Sequence, residues 1–397
     1  MKKYNPFITA NHCIAYRLHL AGSDTSNDVP YFKKYKKILR SLYAYFTRSS
    51  RRANLLKQMQ DINNEPELTI LNLCDTRWLS LSNAVGNLYR IIDSVLAALD
   101  EDVQNGDKTA QALLEQMDNE FIMATMFLAD LTFILKKLIN IFQSDYITIT
   151  HLQPHLDTTI NTITSYFIGS NDSAATYGNI LQNYIAKENI SSEELPSFIY
   201  DYSLAMVTSI KNRFPNSSLH FAFRIFDPEE LPTNNAQLSQ YGNQDIEKLG
   251  EFYGKERMVS REKFSPLIDK DELKKEWGLV KFYLQSYKIQ EFKFRECWKH
   301  VFDTDPTFIT NFPYVVKLIQ IGFIIPLSNA NVERIFSQQK LLKNKLRNKM
   351  SLESLHRFLM ILINGPELEE MDYESAYEYW FNMKERRFGK FNDNTNM

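Results

Sequence analysis

Apolar residues recur at helical spacing along most of this chain. Tyr31, Phe32, Tyr35, Ile38, Leu39, Leu42, Tyr43 and Phe46 fall three or four residues apart, which predicts a basic amphipathic helix or helix pair over 30–60. A short helix over 7–22 carries Ile14, Leu18 and Ala21 on one face. Leu88, Ile91, Ile92, Val95, Leu96 and Leu99 form one further stripe, and Phe127, Leu128, Leu131, Ile134, Leu135, Leu138 and Phe142 form another. Helical patterning continues over 150–167 and 176–214 and through the charged stretch 243–300. An apolar helix over 312–325 ends at Pro326, and Ser328 or Asn329 can cap the next, over 329–347. A final pair is expected over 351–363 and 372–386. Only residues 68–73 alternate in the manner of a short strand.

Composition agrees with this reading. Few glycines (12) and prolines (13) favour helices over a turn-rich β fold. A 44% hydrophobic content with 27 Phe and 21 Tyr argues for a folded core rather than global disorder. The chain is long enough, at 397 residues, for two or three domains.

A net charge of −2 gives no overall nucleic-acid signal, so its distribution carries the information. Residues 1–60 hold twelve Lys and Arg, among them Lys33, Lys34, Lys36, Lys37, Arg51 and Arg52, against Asp24 and Asp28. A second basic run contains Arg334, Lys340, Lys343, Lys345, Arg347 and Lys349. Either cluster can neutralise phosphates; either also serves as a solvated face. The scattered Cys13, Cys74 and Cys297 form neither a disulfide framework nor a C-x-x-C metal pair, which suits a reducing, intracellular setting. Met1-Lys-Lys-Tyr-Asn-Pro has no apolar run, so no signal peptide is expected, and no stretch suggests a membrane span.

Glu333 stands beside the apolar Val332, Ile335 and Phe336 near a helix start, where a carboxylate suits the helix dipole. By itself that is an ordinary surface glutamate. The string around it is more specific. Leu327-Ser-Asn-Ala-Asn-Val-Glu-Arg-Ile-Phe-Ser337, followed by Lys343-Asn-Lys-Leu-Arg-Asn348, resembles the C-terminal signature of hAT-superfamily DNA transposases. Asp75-Thr-Arg77-Trp78 resembles that family's Arg-Trp element. Asn11-His-Cys13-Ile-Ala-Tyr16 resembles its C-x-x-H segment, with Tyr16 where histidine is expected. Phe127-Leu-Ala-Asp-Leu131, Arg213-Phe-Pro215 and Phe226-Asp-Pro228 are similar to landmarks of its helical insertion domain. The resemblance spans residues 5 to about 382.

The resemblance implies a mainly α fold: a remnant of an RNase-H-like α/β domain with at most one or two strands, a helical insertion domain, and C-terminal helices. The boundaries expected are 1–80, 81–310 and 311–390. Glu333 would be a vestigial third catalytic carboxylate, with the other two ahead of residue 1. Two-metal phosphoryl chemistry needs several converging carboxylates, so no enzyme activity and no cofactor are expected, with Mg or Mn relevant only if the missing Asp residues are supplied. The 68–73 strand would lack ladder partners and is expected to be irregular, covered by helices, or paired with another chain. Arg77 and Trp78, with Lys33, Lys34, Lys36, Lys37, Arg51 and Arg52, are the candidates for nucleic acid; the alternative for Trp78 is core packing.

The family's dimerisation region would comprise Ile335, Phe336, Leu352, Leu355, Phe358, Leu359, Leu362 and Trp380. The leading reading is thus a transposase-derived, non-catalytic protein, homodimeric through its C-terminal region, with nonspecific DNA contact and nuclear location. One alternative is part of an active transposase whose two Asp residues lie upstream or in a partner. Another is a helical interaction module without a nucleic-acid role.

Overall fold

The computed structural model describes residues 4–9, 12–74, 78–144, 149–170, 172–215, 219–289, 292–325, 327–366 and 368–383. The chain is mainly α. Helix α1 (Ile14–Asp28) starts after Cys13, and α2 (Pro30–Thr47) starts at a proline whose missing N–H costs nothing in a first turn. Ser49 caps α3 (Ser50–Ile62), its Oγ accepting from the Arg52 N–H at 3.4 Å. Then come α4 (Trp78–Leu88), α5 (Ile92–Gln104), α6 (Lys108–Gln116), the long α7 (Asn119–Phe142), α8 (Ile149–Phe167), α9 (Asn179–Glu188) and α10 (Phe198–Arg213). Helix α7 is buried along most of its length and packs against α4, α8 and α9, while α1 packs on α10.

A 3-10 stretch, Leu219–Phe226, leads into α11 (Asn235–Gln240), α12 (Asn243–Tyr253), α13 (Lys270–Ile289), α14 (Phe294–Thr304), α15 (Pro306–Asn311) and α16 (Pro313–Ile324). Between α12 and α13 lies an antiparallel hairpin of β1 (Arg257–Val259) and β2 (Glu262–Phe264), with Met258 opposite Lys263. This hairpin interrupts the helix expected throughout 243–300. Its two turn residues, Ser260 (φ 50°) and Arg261 (φ 72°), both lie in the left-handed region that a two-residue hairpin turn needs.

Residues 68–73 are irregular, one of the outcomes expected for them. Ile70 is buried, and side chains rather than a neighbouring strand answer two of the backbone carbonyls. Gln60 Nε2 donates to the Leu68 carbonyl at 2.8 Å and Asn87 Nδ2 to the Thr69 carbonyl at 2.9 Å.

Residues 1–329 and 330–397 form two compact units. The first holds two apolar clusters. One draws on α1 to α10 and centres on rings such as Tyr35, Phe121, Phe127 and Tyr202, with Tyr35 and Phe121 stacked at 4.9 Å. The other gathers the 3-10 stretch and α12 to α16 around Phe226, Trp277, Trp298 and Phe308. Both buried indoles find acceptors, Trp298 Nε1 the Phe226 carbonyl at 2.7 Å and Trp277 Nε1 the Tyr241 carbonyl at 3.0 Å. The second unit consists of α17 (Ala330–Leu342), α18 (Leu352–Asn364) and α19 (Tyr373–Asn382).

Candidate self-association surface and basic helices

In the second unit, α17 packs on α18, and Leu355 is buried. The other apolar side chains are largely open to solvent. Phe336 on α17, Leu352, Phe358, Ile361 and Leu362 on α18, and Tyr377, Trp380 and Phe381 on α19 are all exposed, Leu352 to 80%. Ile335 and Leu359 are half-buried. Every residue of α19 is exposed, with Tyr377 bridging the rings of Trp380 (6.0 Å) and Phe381 (5.9 Å). The second half of α18, Phe358-Leu-Met-Ile-Leu-Ile363, is apolar around its whole circumference, so one packed neighbour cannot cover it. An exposed apolar stretch of this kind on α18 suits association with a partner. Of the eight residues expected to dimerise, Leu355 is thus already spent on the single chain, and the other seven keep accessible surface.

Ser351 caps α18 through its Oγ, which accepts from the Ser354 N–H at 3.1 Å, and Asp372 caps α19 through Oδ1 and the Ser375 N–H at 3.0 Å. Hydrogen bonds from the Ser375 hydroxyl and then its N–H hold the Asp372 carboxyl below its ordinary range. Ion pairing reinforces α18 through Arg357 and Glu353 at 2.6 Å.

Glu333 lies in the first turn of α17 and is exposed. Among the described residues no three His, Cys, Asp or Glu side chains converge in a way that could hold a metal ion. The segment just before α17 is tied to the start of α1. The Ile14 N–H donates to the Leu327 carbonyl at 2.9 Å, and the Asn329 N–H points at Cys13 Sγ at 3.4 Å. The two motif segments, 316 residues apart at Cys13 and Asn329, thus meet through Cys13, while Tyr16 is exposed beside His19.

The basic residues of the first unit divide into two groups. On α2, Lys33, Lys34 and Lys37 are exposed. Lys34 sits over the Tyr31 ring and about a salt-bridge distance from Asp118 (3.9 Å) and Glu120 (4.0 Å). Lys36 is half-buried with its ammonium over the Phe32 ring. On α3, both arginines meet acids from α5 and the α5–α6 turn. Arg51 pairs with the fully buried Asp102 at 2.8 Å, and Arg52 with Asp107 at 2.6 Å. Tyr45 completes the cluster: its hydroxyl donates to Asp102 at 2.6 Å and Asp107 at 3.2 Å, and its ring lies under Arg52. Burial works against ionisation of Asp107. The N–H groups of Ala110 and Thr109, with Arg52 and Tyr45, outweigh it and hold the carboxyl below its usual range. A phosphate would have to compete with these carboxylates for Arg51 and Arg52. Arg77 lies outside the described residues, as does the side chain of Trp78, the first residue of α4.

Local sequence gave no sign of the buried carboxylates that cap helices across the fold. Asp130 on α7 accepts from Leu181 and Ile180 at the start of α9. Glu276 on α13 accepts from Tyr314 and Val315 at the start of α16.

These features define a mainly helical protein whose C-terminal unit presents an uncovered apolar surface. Residues 271–365 match the family model of the hAT family C-terminal dimerisation region, so the chain carries a region of hAT-transposase type over that span. The match takes in α13 to α18 and includes Glu333 and the Lys343–Asn348 string. Among the described residues no helix is long and apolar enough to cross a membrane.

Proposed function

We propose that this protein acts as a non-catalytic, self-associating member of its family, homodimeric through residues 335–382. The observation that carries the reading is the open apolar surface of α17, α18 and α19, which coincides over α17 and α18 with the matched dimerisation region. Covering rings and branched side chains of this size gains roughly 25 cal/mol for each Å² of apolar surface removed from water, from which the entropic cost of association is subtracted. No metal is needed for this role.

The test is light scattering on the eluted full chain, with Phe358→Asp and Leu362→Asp combined as the disrupting variant. Both positions are exposed, so the monomer keeps its fold. A wild-type dimer that the variant converts to a folded monomer supports the proposal. A wild-type monomer, or a variant that remains dimeric, overturns it.

A second activity, sequence-nonspecific DNA contact, rests on α2, where Lys33 and Lys37 project into solvent with no acidic partner among the described residues. Such contact fits a nuclear protein. Its signature is an affinity that falls steeply with salt.

A further inference from the structure

The second unit segregates its charge. Lys340, Lys343, Lys345, Arg347 and Lys349 occur with no acid between them, at the end of α17 and in the turn after it. Glu369, Glu370, Asp372, Glu374 and Glu378 occur with no base between them, just before and along α19. Apart from the half-buried Lys343, all of these residues are exposed. No ion pair joins the two sets among the described residues; Arg357 pairs with Glu353 within α18. Each set also carries apolar groups suited to the other. Leu346 is 95% exposed between Lys345 and Arg347. On α19 the exposed rings of Tyr377, Trp380 and Phe381 lie beside Glu374 and Glu378.

From this complementarity we infer that the basic turn 343–349 of one copy docks on α19 of a second copy. Leu346 inserts among the three rings, and Lys345 and Arg347 face Glu374 and Glu378. A two-fold axis makes the contact twice, because a surface that meets its own complement on an identical chain is repaid on the other side. Apolar anchoring by aromatic rings inside a charged rim is the usual anatomy of a specific interface. The charged rim sets register and partner choice, while the apolar surface of α18 supplies most of the association energy. This inference rests on the self-association proposed above and specifies how it is made.

The test uses two variants of the full chain, Lys345→Glu with Arg347→Glu, and Glu374→Lys with Glu378→Lys, measured by sedimentation equilibrium. Each alone weakens the dimer about tenfold or more at about 0.1 M salt, since several exposed pairs become repulsive. Mixed in equal amounts they form a heterodimer of near wild-type strength, because both contacts are again between opposite charges. Raising the salt to about 1 M shrinks the screening length from about 10 Å to about 3 Å and removes most of the difference between variants and wild type. Leu346→Ala weakens the dimer at either salt.

If the mixture dimerises no better than its components, the contact does not cross between copies and the inference fails. It fails equally if the basic variant keeps a wild-type dimer but loses binding to duplex DNA. A wild-type chain that is monomeric throughout removes the self-association itself, an outcome distinct from a wild-type dimer indifferent to these charges.

Discussion

The carboxylate of Asp130, in the middle of α7, accepts the N–H of Leu181 at 2.9 Å, 51 residues on, and so caps the start of α9. Ile180 donates to its other oxygen at 3.2 Å. The residue at the N-cap position of α9 is Gly178, which has no side chain to do this work. A Cβ there would overlap the Asp130 carboxyl. Glycine is therefore required by close approach rather than by its backbone angles. Asp130→Ala should lower stability by about 1–3 kcal/mol, the usual cost of leaving buried donors unpaired. Gly178→Ala should produce a similar loss by displacing the same carboxylate. Combined, the two should cost less than their sum, since they break one contact. Urea midpoints of the three variants check this, and strict additivity would contradict it.

Burial raises the Asp130 carboxyl above its ordinary range, although the Leu181 and Ile180 N–H groups pull the other way. Glu276 is raised for the same first reason, with Val315 and Tyr314 opposing and Glu272 adding to the rise. The sign follows from linkage: a folded state with raised carboxyl pKa values holds its protons to higher pH than the unfolded chain. The stability contributed by these two groups is full below the ordinary carboxyl range and is lost as pH rises through the raised values. Glu276→Gln together with Asp130→Asn should flatten the fall in stability over that window. Thermal melts across mildly acidic pH would reveal an unchanged slope if the idea is wrong.

The stripes that were legible in the sequence are those in which one face of a helix meets the core. Tyr35, Ile38, Leu39 and Leu42 are all buried on α2, and Leu131, Leu135 and Leu138 on α7, as their spacing indicated. Residues 68–73 had a strand's alternation, but Gln60 and Asn87 already answer their carbonyls, and period alone does not reveal that. The hairpin at 257–264 was hidden because Ser260-Arg261 lacks the Asn-Gly type of turn signal. Arg51 and Arg52 read as solvent-facing cations because a local window does not contain Asp102 and Asp107. Asp130 stood in the landmark Phe127-Leu-Ala-Asp-Leu131, but that string does not contain the helix start it caps. Helix existence is written in neighbouring residues; partners across the fold are not.

The Tyr45 hydroxyl bonds to Asp102, a carboxylate with no exposed surface, and Arg51 reaches the same group from the outside. Tyr45→Phe removes a donor from a buried anion and should cost about 1–3 kcal/mol. It also strips a ligand from Asp107, whose lowered pKa means stability present above the ordinary Asp range and lost as pH falls through the depressed value. The variant should therefore lose less stability than wild type on acidification. Denaturation curves at neutral and at strongly acidic pH would refute this if the gap between the two proteins stayed constant.

The two basic groups of the first unit should behave differently toward DNA. Lys33 and Lys37 are exposed on α2, whereas Arg51 and Arg52 are already held by Asp102 and Asp107. Each phosphate neutralised contributes about 0.9 to the slope of log affinity against log salt. If α2 lies along a duplex, Lys33→Ala with Lys37→Ala should reduce that slope by about 2 and leave the melting temperature nearly unchanged. Arg51→Ala with Arg52→Ala should do the reverse, lowering the melting temperature by depriving two carboxylates of their cations while moving the salt slope little. Fluorescence anisotropy with a labelled duplex, run beside thermal melts, separates the two outcomes. Equal slopes for wild type and the lysine variant would take α2 out of any DNA contact and leave association between copies as the protein's remaining activity.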